Sequence, residues 1–244
     1  MAKPLQEWVA TDVERVSGNS MRWLAGEYFF RDPLRPLFID ASYFFAPADG
    51  VILYQRQVGP DEPLVEIKGR PYTLREAMRD GRYNRTCLVI GIFMTVYDVH
   101  VNRIPYSGML VHRMLPPLDT YNRPMLAVES ALLHGHLQAA GEATYLFSNQ
   151  RMLNRIYASS LGLEYYVLQI ADYDVEAIAM FDLRQHQHLA QNERFAQVRF
   201  GSQVDLIIPV SPRWRLETLV PETTHVEAGV DALVRIVPQE SPSS

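Results

Sequence analysis

Cys87-Leu88-Val89-Ile90-Gly91-Ile92-Phe93-Met94-Thr95-Val96-Tyr97 is the longest apolar run in the chain, and the architecture turns on how it is read. It is far shorter than the ~20 apolar residues a membrane-spanning helix needs. Short, bounded and rich in β-branched residues, it reads as a buried strand. Working outward, residues 144–147, 165–170, 177–181 and 204–208 have the same character and are separated by turn-forming residues. Several such strands favour an antiparallel arrangement, and no Gly-x-Gly-x-x-Gly or phosphate-loop motif supports a doubly wound sheet.

The start of the chain follows another period. Leu5, Val9, Val13 and Val16 recur at helical spacing, Pro4 suits a first turn and Gly18 a stop, so residues 4–17 read as an amphipathic helix. A second helix is expected from Asn19 or Ser20, with Met21, Leu24, Ala25 and Tyr28 on one side and Trp23, Phe29 and Phe30 adding aromatic surface. That surface is open to two readings, contact with a bilayer or packing on the protein itself. Thr73-Leu74-Arg75-Glu76 has capping-box spacing and predicts a short helix through Met78 that Asp80-Gly81 ends. The fold expected is therefore α+β, a predominantly antiparallel β sandwich or distorted barrel with N-terminal amphipathic helices. It forms one domain over residues 1–244, with a helical, membrane-associating candidate segment at 1–30 and a loose tail at 238–244.

Composition narrows the function classes. The 244 residues are 48% hydrophobic, enough for a sizeable core, and the net charge of -5 argues against a broad nucleic-acid surface. One cysteine, Cys87, allows no internal disulfide, and no secretory signal pattern is visible, so a cytoplasmic setting is expected.

The chemistry-bearing step is Gly201-Ser202 in Arg199-Phe200-Gly201-Ser202-Gln203-Val204-Asp205. Attack of Ser202 Oγ on the Gly201 carbonyl gives an ester, and removal of the Ser202 α-proton followed by elimination and hydrolysis leaves a pyruvoyl group. Glycine suits the first position because nothing on its Cα hinders the nucleophile. A turn or bulge is the plainer reading of an isolated Gly-Ser pair. Two His-x-His pairs, His134/His136 and His186/His188, would each share a face on a strand and suit a metal, with Glu142 or Glu193 nearby; a solvated turn is the other reading of the second pair.

Further segments accompany the Gly-Ser step in order: Tyr28-Phe29-Phe30-Arg31-Asp32-Pro33, Ala46-Pro47-Ala48-Asp49-Gly50, Glu66-Ile67-Lys68-Gly69, Gly91-Ile92-Phe93-Met94, Asp98-Val99-His100-Val101-Asn102-Arg103-Ile104-Pro105 and Val167-Leu168-Gln169-Ile170-Ala171. Together they resemble the phosphatidylserine decarboxylase family, in its shorter branch. The resemblance implies self-cleavage between Gly201 and Ser202, a pyruvoyl cofactor made from Ser202, and decarboxylation of phosphatidylserine to phosphatidylethanolamine through a Schiff base. It puts His100 in the family's histidine position as general base and proton donor. Asp49 is expected to orient His100, completing an acid–base–nucleophile set with Ser202. Arg103 is a candidate for holding a phosphate or carboxylate, with a structural ion pair as the alternative.

Departures keep other readings open. Asp172 and Glu176 stand where the resemblance leads one to expect a glycine and an arginine, and Gln150 interrupts an expected Asn-Glu-Arg. Acidic groups facing the substrate would favour a soluble amino acid or other amine-bearing acid over a phospholipid. An uncleaved membrane or interaction module and a metal-dependent β enzyme remain as further classes. The remaining expectations are a peripheral association with the cytoplasmic membrane and a homodimer formed through the apolar N-terminal segment.

Overall fold

The computed structural model describes residues 1–36, 38–136, 139–172, 178–181, 184–198 and 202–239. Cys87–Met94 is a strand buried along its whole length, paired antiparallel with Gly50–Val58 on one side and Ser202–Pro209 on the other. These three lie inside a nine-stranded sheet ordered Lys3–Pro4, Thr224–Val226, Gly50–Val58, Cys87–Met94, Ser202–Pro209, Leu163–Ile170, Arg151–Ala158, Gly108–Leu115, Gln187–Leu189. One three-stranded sheet joins Ile178–Met180, Arg194–Val198 and Val101–Arg103; another joins Trp214–Thr218, Ala232–Pro238 and Tyr43–Phe45. The sheets are antiparallel and stay open, so the sandwich form of the expected fold is the one adopted, without barrel closure.

The strand period explains the layering. Val89 and Phe93 enter a core shared with Leu5, Trp8, Leu74 and Val128 of the helical segments, whereas Leu88, Ile90 and Ile92 enter a second core with Phe44, Phe195 and Val234 of the small sheets. A central strand therefore needs apolar residues on both faces, which is why the 87–94 run is continuous rather than alternating. On Ser202–Pro209 the same alternation sends Val204, Leu206 and Ile208 toward the small sheets. Ser202 shares their face, and Gln203 and Asp205 point the other way, toward the helical layer.

Glycine is required twice beside this centre. Gly50 has φ of +147°, and a Cβ there would stand 2.1 Å from the Phe93 carbonyl oxygen. A Cβ on Gly91 would meet the Tyr54 ring at 2.4 Å. Gly91 lies between Tyr54 and Asp205 in the ladder, and its bare Cα lets the Tyr54 ring cross to donate to that carboxylate.

The N-terminal helix forms as consecutive turns, Leu5–Trp8, a π-helical Val9–Val13 and Glu14–Ser17. Ser20 caps the next helix, Met21–Gly26, by accepting from the Trp23 amide. Leu5, Trp8, Val13, Val16, Leu24 and Phe29 are buried, so much of the apolar side of this segment is used inside the chain. Among the described residues no helix is long and apolar enough to cross a membrane. The capping box forms as expected at Thr73 and Glu76, opening Leu74–Met78. Of residues 144–147, expected as a strand, 145–147 belong instead to the helical turn Tyr145–Ser148, with Thr144 at its N-cap. A four-residue apolar run fits one helical turn as well as a strand, and here the turn buries Tyr145 and Leu146 under the sheet. The strand expected over 177–181 is present as Ile178–Met180, with Ala177 outside the described residues.

Candidate active site

The site is assembled where the Cys87–Met94 strand ends. Asp98 closes the following turn by accepting from the Thr95 amide at 2.7 Å and the Thr95 hydroxyl at 2.8 Å. Two residues on, His100 is fully buried, with Nδ1 3.0 Å from the Asp98 carbonyl oxygen. A carbonyl only accepts, so Nδ1 carries the proton and neutral His100 presents Nε2 as a bare lone pair. Nε2 is buried and has no hydrogen-bond partner among the described residues. Burial pushes the imidazole down to about 4; the Asp98 charge and carbonyl oppose that shift and Arg31 adds to it. His100 is thus an uncharged base at neutral pH.

The aromatic segment 28–33 encloses this group. Phe29 stacks on the His100 ring with centroids 3.8 Å apart. Arg31 donates to the carbonyls of Tyr97 at 2.5 Å and Asp98 at 3.3 Å, tying the segment to the turn that holds His100. Asp32 lies 3.6 Å from Arg103 Nη2 and also pairs with Arg194. Arg103 is buried and further donates to the Asn192 carbonyl at 2.9 Å. The ion-pair alternative for Arg103 is therefore the arrangement adopted.

Asp49 is buried but held elsewhere than expected. Arg35 grips both its oxygens, at 2.5 and 2.6 Å, and the Ala228 amide donates to Oδ1 at 2.8 Å. His100 takes its orientation from the Asp98 main chain, so Asp49 does not orient it here. Asp49 still lies within electrostatic reach of Arg31 and Arg103.

Ser202 opens its strand directly opposite Met94, fully buried, and its hydroxyl points at Met94 Sδ at 3.3 Å. Four residues earlier, the Val198 amide donates to the His100 carbonyl at 3.1 Å. Residues 199–201, between Val198 and Ser202, lie outside the described residues, and with them Gly201, the other half of the expected cleavage step.

Sequence reasoning did not single out His225, whose Nε2 is 2.6 Å from Asp98 Oδ1, both groups buried. Burial raises the Asp98 carboxyl, but His225 and the Thr95 donors outweigh it and hold Asp98 below the usual range. Trp8 stacks on the His225 ring at 4.4 Å, nearly parallel. Asp98 lay inside a quoted motif, yet nothing local in Thr224-His225-Val226 signals its partner.

The rival sites are not assembled. His134 ends a helix with Nδ1 on the Ser130 carbonyl, and its ring lies 6.5 Å from that of His136 in an exposed turn. His186 sits at φ +61° in a turn, so it does not continue the strand carrying His188. Among the described residues no three His, Cys, Asp or Glu side chains group as metal ligands. Asp172 is mostly buried, with Oδ1 accepting from the Met125 amide at 3.0 Å; Glu176 lies outside the described residues.

Similarity to known proteins runs along most of the chain. The profile of the phosphatidylserine decarboxylase family matches residues 26–233. A phosphatidylserine decarboxylase proenzyme of Chlorobium phaeobacteroides is 28% identical over 184 residues, 75% of this chain and 68% of the relative. One of Pelagibacter ubique is 32% identical over 180 residues, 73% and 67% of the two chains. One of Prosthecochloris aestuarii is 26% identical over 209 residues, 86% and 76%.

Proposed function

Because the chain belongs to the phosphatidylserine decarboxylase family, a family of carboxy-lyases, we propose that it decarboxylates phosphatidylserine to phosphatidylethanolamine after cutting itself between Gly201 and Ser202. The observation that carries this reading is the buried, uncharged His100, whose Nε2 lone pair is unpartnered among the described residues and whose carbonyl accepts from the amide of Val198, four residues before Ser202. In the first step Nε2 takes the Ser202 hydroxyl proton as Oγ bonds to the Gly201 carbonyl carbon. The C–N bond then breaks, the nitrogen takes a proton, and an ester remains. Loss of the Ser202 α-proton expels the Gly201 carboxylate, and hydrolysis of the resulting enamine releases ammonia.

The residues present fit a pyruvoyl group at position 202: Ser202 is fully buried and His100 offers a neutral base. Once formed, that group supplies a carbonyl that condenses with a primary amine and takes up the electrons freed with carbon dioxide. His100, in this reading, then returns a proton to the substrate carbon, while Phe29 keeps water from its ring. Asp49 acts through Arg35 by holding residues 31–36 against the site. Arg103, being paired with Asp32, contributes substrate affinity only if a phosphate displaces that carboxylate.

The sheet pairing between residues 1–201 and 202–244 supports the same account. The 202–244 piece supplies Ser202–Pro209 to the middle of the large sheet, Thr224–Val226 beside Gly50–Val58, and Ala232–Pro238 beside Tyr43–Phe45. The strands of the smaller piece are built into sheets of the larger one, so the two stay together after cleavage. Leu34 is fully exposed and Ile39 is 74% exposed on the stretch that covers the site. This apolar rim supports peripheral contact with a bilayer. Assay against phosphatidylserine in mixed micelles and, separately, against free serine and phosphoserine tests the substrate class. Carbon dioxide release from the lipid alone supports the proposal, and release from the soluble acids alone would replace it with the soluble-substrate reading.

A further inference from the structure

A line of buried carboxamides ends at Met94, the residue paired with Ser202. Asn154, Gln169 and Asn102 come from three different strands and all are fully buried. Asn154 Nδ2 donates to the Val167 carbonyl at 3.0 Å and to Gln169 Oε1 at 2.9 Å; Gln169 Nε2 donates to Asn102 Oδ1 at 2.7 Å. The direction of this line is fixed from its far end, because a main-chain carbonyl only accepts. Asn154 must offer nitrogen there, Gln169 must turn oxygen toward Asn154, and Asn102 must turn oxygen toward Gln169. Asn154 Oδ1 is left buried without a partner, so the line keeps its direction at a cost.

Asn102 Nδ2 is thereby turned away from Gln169, toward Met94 Sδ at 3.7 Å. A thioether is a weak acceptor, and the Ser202 hydroxyl points at the same sulfur from 3.3 Å. Two hydrogen donors thus converge on one weak acceptor. The self-cleavage proposed above creates a better one: when Ser202 Oγ attacks, the carbonyl π electrons move onto oxygen until the C–N bond breaks.

We propose that the Asn102 carboxamide donates a hydrogen bond to that oxyanion, and that Gln169 is the positioning residue that aims it. This rests on the self-cleavage reading. A preorganised buried amide is the kind of donor that stabilises developing charge without reorganising.

The test measures the rate at which freshly synthesised full-length chain splits, in wild type and in Gln169→Glu, Asn102→Asp, Asn102→Leu and Ser202→Ala proteins. A carboxylate at 169 accepts from both asparagines and turns Asn102 around, so that oxygen faces Ser202 while the line stays bonded. Asn102→Asp puts an acceptor in the same place, and Asn102→Leu keeps the shape with no donor and no charge. Splitting is expected to slow by about a hundredfold or more in all three, with circular dichroism matching uncleaved Ser202→Ala protein. Hydroxylamine, which cuts an ester, is expected not to release fragments from the Asn102 variants, because the acyl shift is the step that fails. Splitting at the wild-type rate in folded Asn102→Leu protein would overturn the proposal, as would hydroxylamine-dependent fragments, which would place the defect after ester formation. Loss of folding in all three would make the line a fastening between strands and overturn it too. Wild-type chain that never splits would instead remove the self-cleavage reading beneath it.

Discussion

Asp98 and His225 share a 2.6 Å hydrogen bond between buried side chains that stand on opposite sides of the Gly201–Ser202 step. The bond therefore ties the two pieces that cleavage would produce, and Asp98 also supplies the carbonyl that orients His100. One residue both bonds to the segment after Ser202 and sets the tautomer of His100.

Breaking this pair from one side should be costly. His225→Ala leaves the Asp98 carboxylate buried with only its Thr95 donors, which on the usual scale for a broken buried pair costs about 3–5 kcal/mol. Chemical denaturation of the variant, measured on uncleaved Ser202→Ala background, checks this. A loss under about 1 kcal/mol would show that the pair is not a fastening.

The titration of His100 predicts an acid limit. Its folded value lies near 4, below its ordinary 6.5, so the folded state binds fewer protons than the unfolded one between those values. Stability from this group is present above pH 6.5 and is lost as pH falls toward about 4, on the order of 3 kcal/mol in all. Splitting should be insensitive to pH from about 8 down to about 5 and slow below that as the base protonates. A rate that halves near pH 6.5 would mean that the imidazole has an ordinary environment.

Asp205 acts with the opposite sign. Burial pushes its carboxyl up to about 6, against the Gln203 and Tyr54 hydrogen bonds, so stability is present below its ordinary 3.8 and is lost as pH rises through about 6. Asp205→Asn should raise stability at about pH 8 by roughly 2 kcal/mol and leave it nearly unchanged at about pH 4. Thermal melts at the two pH values decide it, and equal effects at both would contradict the assignment.

Gly91→Ala tests the close approach under Tyr54. The added methyl stands 2.4 Å from ring carbon, so the ring must move off the Asp205 carboxylate, with an expected cost of about 1–3 kcal/mol or more. Denaturant midpoints for Gly91→Ala against wild type measure it. An unchanged midpoint would show that the ring has room to shift.

How much of this was legible depended on whether a signal was local. The 87–94 strand and the Thr73–Glu76 capping box were readable because their periods and spacings are written in adjacent residues. His100 and Ser202 were readable through the motifs around them, and burial and the unpartnered Nε2 then gave His100 its protonation state. The Asp98–His225 bond and the Arg35 grip on Asp49 were not readable, since each depends on which strands and loops meet in space. Residues 144–147 misled because a single helical turn and a short strand carry the same composition. Asn102 stood inside a quoted motif, but its meaning lies in the direction Gln169 gives it, which no spacing encodes.

The most direct measurement is the intact mass of freshly purified protein with and without borohydride. The account predicts two fragments, 1–201 and 202–244, with the smaller bearing a reducible carbonyl in place of an amino terminus, and a single unreduced chain for Ser202→Ala. A full-length chain that decarboxylates lipid while carrying no reducible carbonyl would contradict it.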